Sequence, residues 1–330
     1  MAKRSTLRTV GLIAGVGCLT MIVVVVGGIV ITVMVARNAA SNLGDPNPQP
    51  VNRRISLPLP SVVPGADASS KSATGQSNRS NAPLHLTLEL QEGEFTIQPG
   101  EPGSDIQVTG EYAPGLFELT ESQGTDSATG ARRATVRFRS KAPMWVRIFG
   151  GIGNGDGNRP RLTVTIPRGT PLDLDLTTSM GRSEVDLGGL TLREVSVNAT
   201  MGEHRLDFHE PVVEGMRELR LSNSMGNLHL ENLGNARANT ITASGSMGNV
   251  IANLGGAWTP GAEANLTFEQ SMGELTLRVP SSVRLEADVR ESGKEAASRP
   301  PDATPPDDPK APTLRLKVNS SMGETRIVRY

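Results

Sequence analysis

The chain has a single cysteine, four histidines and an aromatic content of only 3% in 330 residues. One thiol excludes a disulfide framework and a cysteine-based zinc site. Four imidazoles leave little material for a histidine metal cluster. Six Phe, two Trp and two Tyr cannot fill a broad aromatic core. Charge of one sign is lacking too: 33 basic residues face 34 acidic ones, for a formal net charge of −1. A nucleic-acid binder carries a basic surplus to displace phosphate counterions, so nucleic acid is not an expected partner. What the chain has in quantity is glycine, at 36 residues, and proline, at 23.

Charge is also absent from every position between Arg8 and Arg37. The densest part of this stretch reads LIAGVGCLTMIVVVVGGIVITVMVA. As a helix, residues 9–36 would span about 40 Å, more than the roughly 30 Å of a hydrocarbon layer. The apolar core of a cleaved signal peptide is about 7–15 residues, so an uncleaved signal anchor is expected. Cys18 invites a lipoprotein reading, but Gly15 stands where a lipobox wants Leu and the apolar run continues well past the cysteine. Lys3, Arg4 and Arg8 flank the N-terminal side. The positive-inside bias therefore predicts a cytoplasmic tail at 1–8, one transmembrane helix at 9–36 and an extracytoplasmic remainder. Residues 37–83 are rich in Pro, Ser, Asn, Gly and Ala and poor in large apolar side chains. They are expected to be a flexible linker.

From Leu84 onward the pattern becomes strict alternation, as in LHLTLEL, TVRFR, LTVTI and LDLDL. Period two marks half-buried strands. Met-Gly then recurs six times: Met180-Gly181, Met201-Gly202, Met225-Gly226, Met247-Gly248, Met272-Gly273 and Met322-Gly323. Chance predicts roughly one such pair, so the excess is a repeat. A small hydroxyl precedes each Met: Ser179, Thr200, Ser224, Ser246, Ser271 and Ser321. Seven positions before the glycines stand Leu174, Val195, Leu219, Ile241, Leu266 and Leu316. Five before stand Leu176, Val197, Leu221, Ala243, Phe268 and Val318. Two or four after stand Val185, Leu206, Leu228, Ala252, Leu277 and Ile327.

The inward phase flips parity at Met-Gly, which requires a bend or bulge that a positive-φ glycine supplies cheaply. Each repeat is thus two short strands joined at a glycine corner and closed by an outer turn such as GGL or NLG. The expected fold is all-β: a single-chain β-solenoid of about 22-residue coils over residues 84–330, with a narrow core. Gly93, with Leu86, Leu88 and Ile97, and Gly293, in VRLEADVRESGK, read as degenerate copies. Loop insertions are expected at about 113–160 and 295–312.

With those residues in view, the body resembles the bacterial "putative adhesin" family of β-strand-repeat proteins. More distantly it resembles the extracytoplasmic-type domains of LiaF-like cell-wall stress proteins. The carrying segments are LTVTIP at 162–167 with LDLDLTTSMG, LTLRVP at 275–280 with VRLEADVRESG, and the final LRLKVNSSMGETRIV. The resemblance covers roughly residues 84–330. It implies a β-solenoid without an assigned reaction.

Three sets of residues are candidates for chemistry. The Met column shares parity with the apolar positions before it and is expected to fill a corner of the core, the alternative being an exposed soft stripe for an apolar partner or a metal. Asp173, Glu194 and Glu218 form one acidic column, with Arg193, Arg217 and Arg220 nearby. Asp186, Asp207 and Glu231 form another, and these three are the candidates for calcium. A solvated charged face is the default for both. Asn227 and Asn249 fall one coil apart and suit a short amide ladder. His204, His209 and His229 do not share a column. The Gly-rich run at 150–157 opens no helix and lacks GK[ST], which excludes a phosphate loop. The recurring serines have no histidine beside them, so no catalytic residue and no cofactor is expected.

The resulting expectation is a single-pass cell-membrane protein, anchored by residues 9–36, whose extracytoplasmic body is a non-catalytic adhesin-like or scaffold module. Its expected partners are an envelope polymer or a membrane protein. The alternatives are an accessory or sensor protein in envelope-stress signalling, and a carbohydrate-active enzyme.

Overall fold

The computed structural model describes residues 34–35, 47–56, 83–125, 131–141, 159–292 and 308–330. The cytoplasmic tail, nearly all of the expected transmembrane helix, most of the expected linker, Gly293 and most of the 295–312 loop lie outside the described residues. Among the described residues no helix is long and apolar enough to cross a membrane.

The chain divides into two units. The smaller comprises Met1–Pro48, Ala113–Phe117 and Ser140–Arg159. In it Ala113, Leu116 and Phe117 are buried. The Lys141 backbone N–H donates to the Leu116 carbonyl at 2.8 Å. The larger unit, Gln49–Tyr112, Glu118–Arg139 and Pro160–Tyr330, carries the repeats.

The architecture is all-β. In chain order the strands are β1 (Gln49–Ile55), β2 (Leu84–Gly100), β3 (Ile106–Tyr112), β4 (Phe117–Thr125), β5 (Arg132–Ser140), β6 (Arg161–Pro167) and β7 (Leu172–Asp186). There follow β8 (Leu192–Asp207), β9 (Glu218–Glu231), β10 (Thr240–Met247), β11 (Val250–Asn253), β12 (Glu263–Val279), β13 (Arg284–Glu291) and β14 (Thr313–Arg329). The long strands β2, β7, β8 and β9 pair in parallel, each with the next. β10 and β11 together make the following rung, and β12 and β14 continue the stack. Every Met-Gly pair stands opposite its equivalent: Met180 faces Met201, Met201 faces Met225, Met225 and Met272 flank Met247, and Met272 faces Met322.

Alternation explains the core. In β7, Leu172, Leu174 and Leu176 are buried on even positions, and Ser183 and Val185 on odd ones. The phase flips at Met180-Gly181, as the repeat pattern requires. The outer turns close each coil with apolar residues of their own, including Leu187, Leu190, Phe208, Val212, Met216, Leu233 and Leu254. Gly93 faces Gly181, so the first degenerate copy is a genuine rung.

Four expectations need correction. The linker expected over 37–83 contains a strand: β1 pairs antiparallel with β3, held by backbone hydrogen bonds and the fully buried Ile55. An edge strand with one apolar anchor leaves no periodic trace in composition. The excursion expected at 113–160 contains β5, which stacks in parallel on the first half of β2, while β6 stacks on its second half. This rung precedes β2 in space although it follows it in sequence. The copy expected at Gly293 does not lie between those of Gly273 and Gly323, because β13 pairs with β14 and lies outside it. Its register is also one residue away from an alignment on Gly293. Leu285, Ala287 and Val289 stand opposite Leu314, Leu316 and Val318, since the other register would turn Glu286 and Asp288 inward. Finally, the methionines do not fill the core.

Candidate functional site: the glycine corner

The corner is built from backbone. Gly93, Gly181, Gly202, Gly226, Gly248, Gly273 and Gly323 all have positive φ, from +110° at Gly273 to +156° at Gly323. A Cβ on any of the six that follow Gly93 would strike the carbonyl oxygen of the preceding glycine in the stack. The column is therefore a ladder of bare backbones, and no other residue fits either its dihedral angles or its spacing.

On the outside of this ladder lie the methionines. Met201, Met247, Met272 and Met322 are 39%, 41%, 38% and 64% exposed, and Met180 and Met225 are half-buried. The backbone starts to turn before the glycine. The hydroxyl residue and the Met after it both point outward, and strict alternation fails one residue earlier than the sequence pattern implies.

On the inside, the columns three before and two after the glycine face inward and carry polar side chains. Thr178, Asn223, Gln270 and Ser320 occupy the first, and Ser183 and His204 the second; all are buried. Nδ1 of His204 lies 2.8 Å from the Ser183 hydroxyl and 3.3 Å from that of Thr178. Asn223 Nδ2 donates to the Gly226 carbonyl at 3.0 Å. Gln270 Nε2 donates to the carbonyls of Gly248 at 2.8 Å and Met272 at 2.6 Å. These amides satisfy carbonyls that the bend removes from the ladder. Burial pushes the His204 imidazole below its ordinary pKa, opposed in part by a hydrogen bond with the Met201 backbone. The polar inner columns escaped the sequence reading, although inward parity at Asn223 and Gln270 was a usable signal.

The calcium candidates are brought together: Asp186 faces Asp207, which faces Glu231. Their oxygens, however, fasten the outer turns. Asp186 Oδ1 accepts from the Gly188 and His209 backbones at 2.9 and 3.2 Å. Asp207 Oδ1 accepts from Asn232 Nδ2 at 2.8 Å, and Glu231 Oε2 from Asn253 Nδ2 at 3.0 Å. Among the described residues no group of three or more His, Cys, Asp or Glu is placed to hold a metal ion. Gln98, Glu184, Asp186, Arg205, Asp207 and His209 line a shallow groove on this face. In the other acidic column, Glu194 pairs with Arg217, Glu218 with Arg220 at 2.6 Å and Asp173 with His85 at 3.4 Å. His204 is buried, whereas His229 is half-buried and His209 exposed on the outside, so the three histidines do not converge. Asn227 stands opposite Glu203, and Asn249 Oδ1 accepts from the Glu274 backbone at 3.2 Å.

Residues 65–217 match the family model described as the N-terminal domain of toast_rack, DUF2154. No curated protein matches the chain. The solved structures similar to it include two at 10% identity each. One, titled a putative cell adhesion protein from Clostridium sporogenes ATCC 15579, covers 86% of this chain and 100% of its own, with a TM-score of 0.37. The other, titled a putative adhesin (BF0245) from Bacteroides fragilis NCTC 9343, covers 84% and 96%, with a TM-score of 0.36.

Proposed function

We propose that the chain is a membrane-anchored, extracytoplasmic β-solenoid that acts as a non-catalytic binding module toward a polymer of the cell envelope. One observation carries this reading: one outward column presents a hydroxyl or an amide at five of the six Met-Gly rungs. Four positions before the glycines stand Thr177, Asn198, Ser222, Ser244, Glu269 and Asn319, all in register. Parallel rungs repeat at about 4.8 Å, so this column offers a row of hydroxyls and amides, with the carboxylate of Glu269 at one rung. A row of that kind suits an extended, repeating, hydrogen-bonding ligand, whereas catalysis calls for one unique cluster. The uncharged run between Arg8 and Arg37 supports the anchor.

The test is co-sedimentation of the purified full chain with isolated cell-wall polymer. Saturable retention, lost when Ser222→Arg and Ser244→Arg place bulky charge on that face, is expected. Absence of retention, or retention unaffected by the two arginines, contradicts the reading. The topology is tested separately. A cysteine introduced at Ser179 should react with a membrane-impermeant maleimide in intact cells, and labelling only after lysis contradicts an extracytoplasmic body.

A further inference from the structure

We infer that the methionine ladder is a binding site for a soft monovalent metal ion of the Cu(I) or Ag(I) class. The six thioethers belong to residues in direct register on neighbouring parallel rungs. At about 4.8 Å per rung the row is roughly 24 Å long. Four of its members are at least 38% exposed. An exposed position in a strand ordinarily takes a polar residue, as Glu92 does at the first rung, whereas the six rungs that follow all carry Met.

Comparison with the core columns shows that apolarity alone is not what the position selects. Five residues before the glycine, Leu, Val, Ala and Phe interchange from rung to rung. At the ladder no Leu, Ile or Val stands before the glycine at any of the seven rungs: six carry Met, and the first carries Glu92, opposite Met180. What Met adds to an apolar body is an unbranched, three-rotor chain and a polarisable sulfur. Neighbouring chains rooted one rung apart can rotate two or three sulfurs onto one ion. Thioethers are soft, neutral donors that favour Cu(I) over hard cations.

An apolar protein partner fits less well, because the ridge is one residue wide. Its flanks are the Ser/Thr column on one side and, on the other, a column that includes Arg182, Glu203, Asn227 and Glu274. Glu203 there is paired with Arg182, whereas Glu274 adds attraction for a cation, and among the described residues no cluster of three or more His, Cys, Asp or Glu supplies a hard-ion site. Since a thioether carries no proton, binding releases none and needs no redox partner.

The experiment titrates the purified full chain, with Cys18→Ala to remove the competing thiol, with Ag(I) at pH 7.5 and pH 5 by calorimetry and native mass spectrometry. Two or three ions per chain are expected, with affinity unchanged between the two pH values. Met201→Leu, Met225→Leu and Met247→Leu together should weaken binding at least tenfold. Uniform replacement of Met by norleucine, which keeps the unbranched shape without sulfur, should abolish it and leave the circular dichroism spectrum unchanged. No saturable binding, binding that survives norleucine, or binding that falls with protonation at pH 5 would overturn the assignment.

Discussion

The core columns and the corner column solve the same stacking problem under different tolerances. In the column five before the glycine, Leu88, Leu176, Val197, Leu221, Ala243, Phe268 and Val318 stand in register, and the small Ala243 adjoins the large Phe268. Volume lost at one rung is returned at the next, so the core specifies apolarity and total volume rather than identity. In the corner column glycine recurs at all seven rungs. There each residue's Cα sits against the carbonyl of the rung before it, and a neighbouring side chain can return nothing. The coil is therefore permissive where side chains meet and strict where backbones meet.

The largest expected effect sharpens that contrast. Gly226→Ala drives a methyl into the Gly202 carbonyl and amide at φ +117°. It should cost more than about 4 kcal/mol, in the range reserved for strain at a special backbone position. Gly103→Ala has φ +72° with open space around its Cβ, and should cost only the left-handed penalty of about 1–2 kcal/mol. Denaturant unfolding of the two variants compares them directly. Equal losses would mean that the ladder contact is unimportant. Next, Leu221→Ala removes a buried side chain and should cost about 2–5 kcal/mol. A smaller loss would show the core to be looser than its burial suggests.

His204 gives a smaller, pH-dependent effect. Its folded pKa lies below that of the unfolded chain, so between the two values the unfolded chain binds the extra proton. The stability it contributes is complete above about pH 6.5 and is lost as pH falls through the folded value. Unfolding midpoints at pH 7.5 and pH 5 should differ more in the parent chain than in His204→Leu, a residue type already present one rung on at Leu228. An unchanged difference would contradict the buried-imidazole account. The smallest effect belongs to the ridge: Met247→Leu should alter stability by no more than about 0.5 kcal/mol. Peroxide should oxidise Met201, Met247, Met272 and Met322 well before the fully buried Met216.

Periodicity made the rungs legible, because alternation and the parity flip are local consequences of strand geometry. The Gly93 rung followed from the same template. The ridge was misplaced for a physical reason: alternation was carried one residue into a bend that had already begun at the hydroxyl before Met. The ends of the array were illegible because they depend on strand order. β5 with β6 stacks outside β2, and β13 outside β14, through pairings that no local pattern encodes. The inner polar columns were written in the sequence as Asn223 and Gln270 at inward positions, but their role becomes visible only with the carbonyls they serve.

The rung-by-rung stack is tested most directly by spin labels on the outward hydroxyl column, in a Cys18→Ala chain. Ser179→Cys would be paired in turn with Ser246→Cys, Ser271→Cys and Ser321→Cys. Electron double-resonance distances should rise by about 5 Å per rung, to near 24 Å for the last pair. Distances that do not increase in that order would contradict the account.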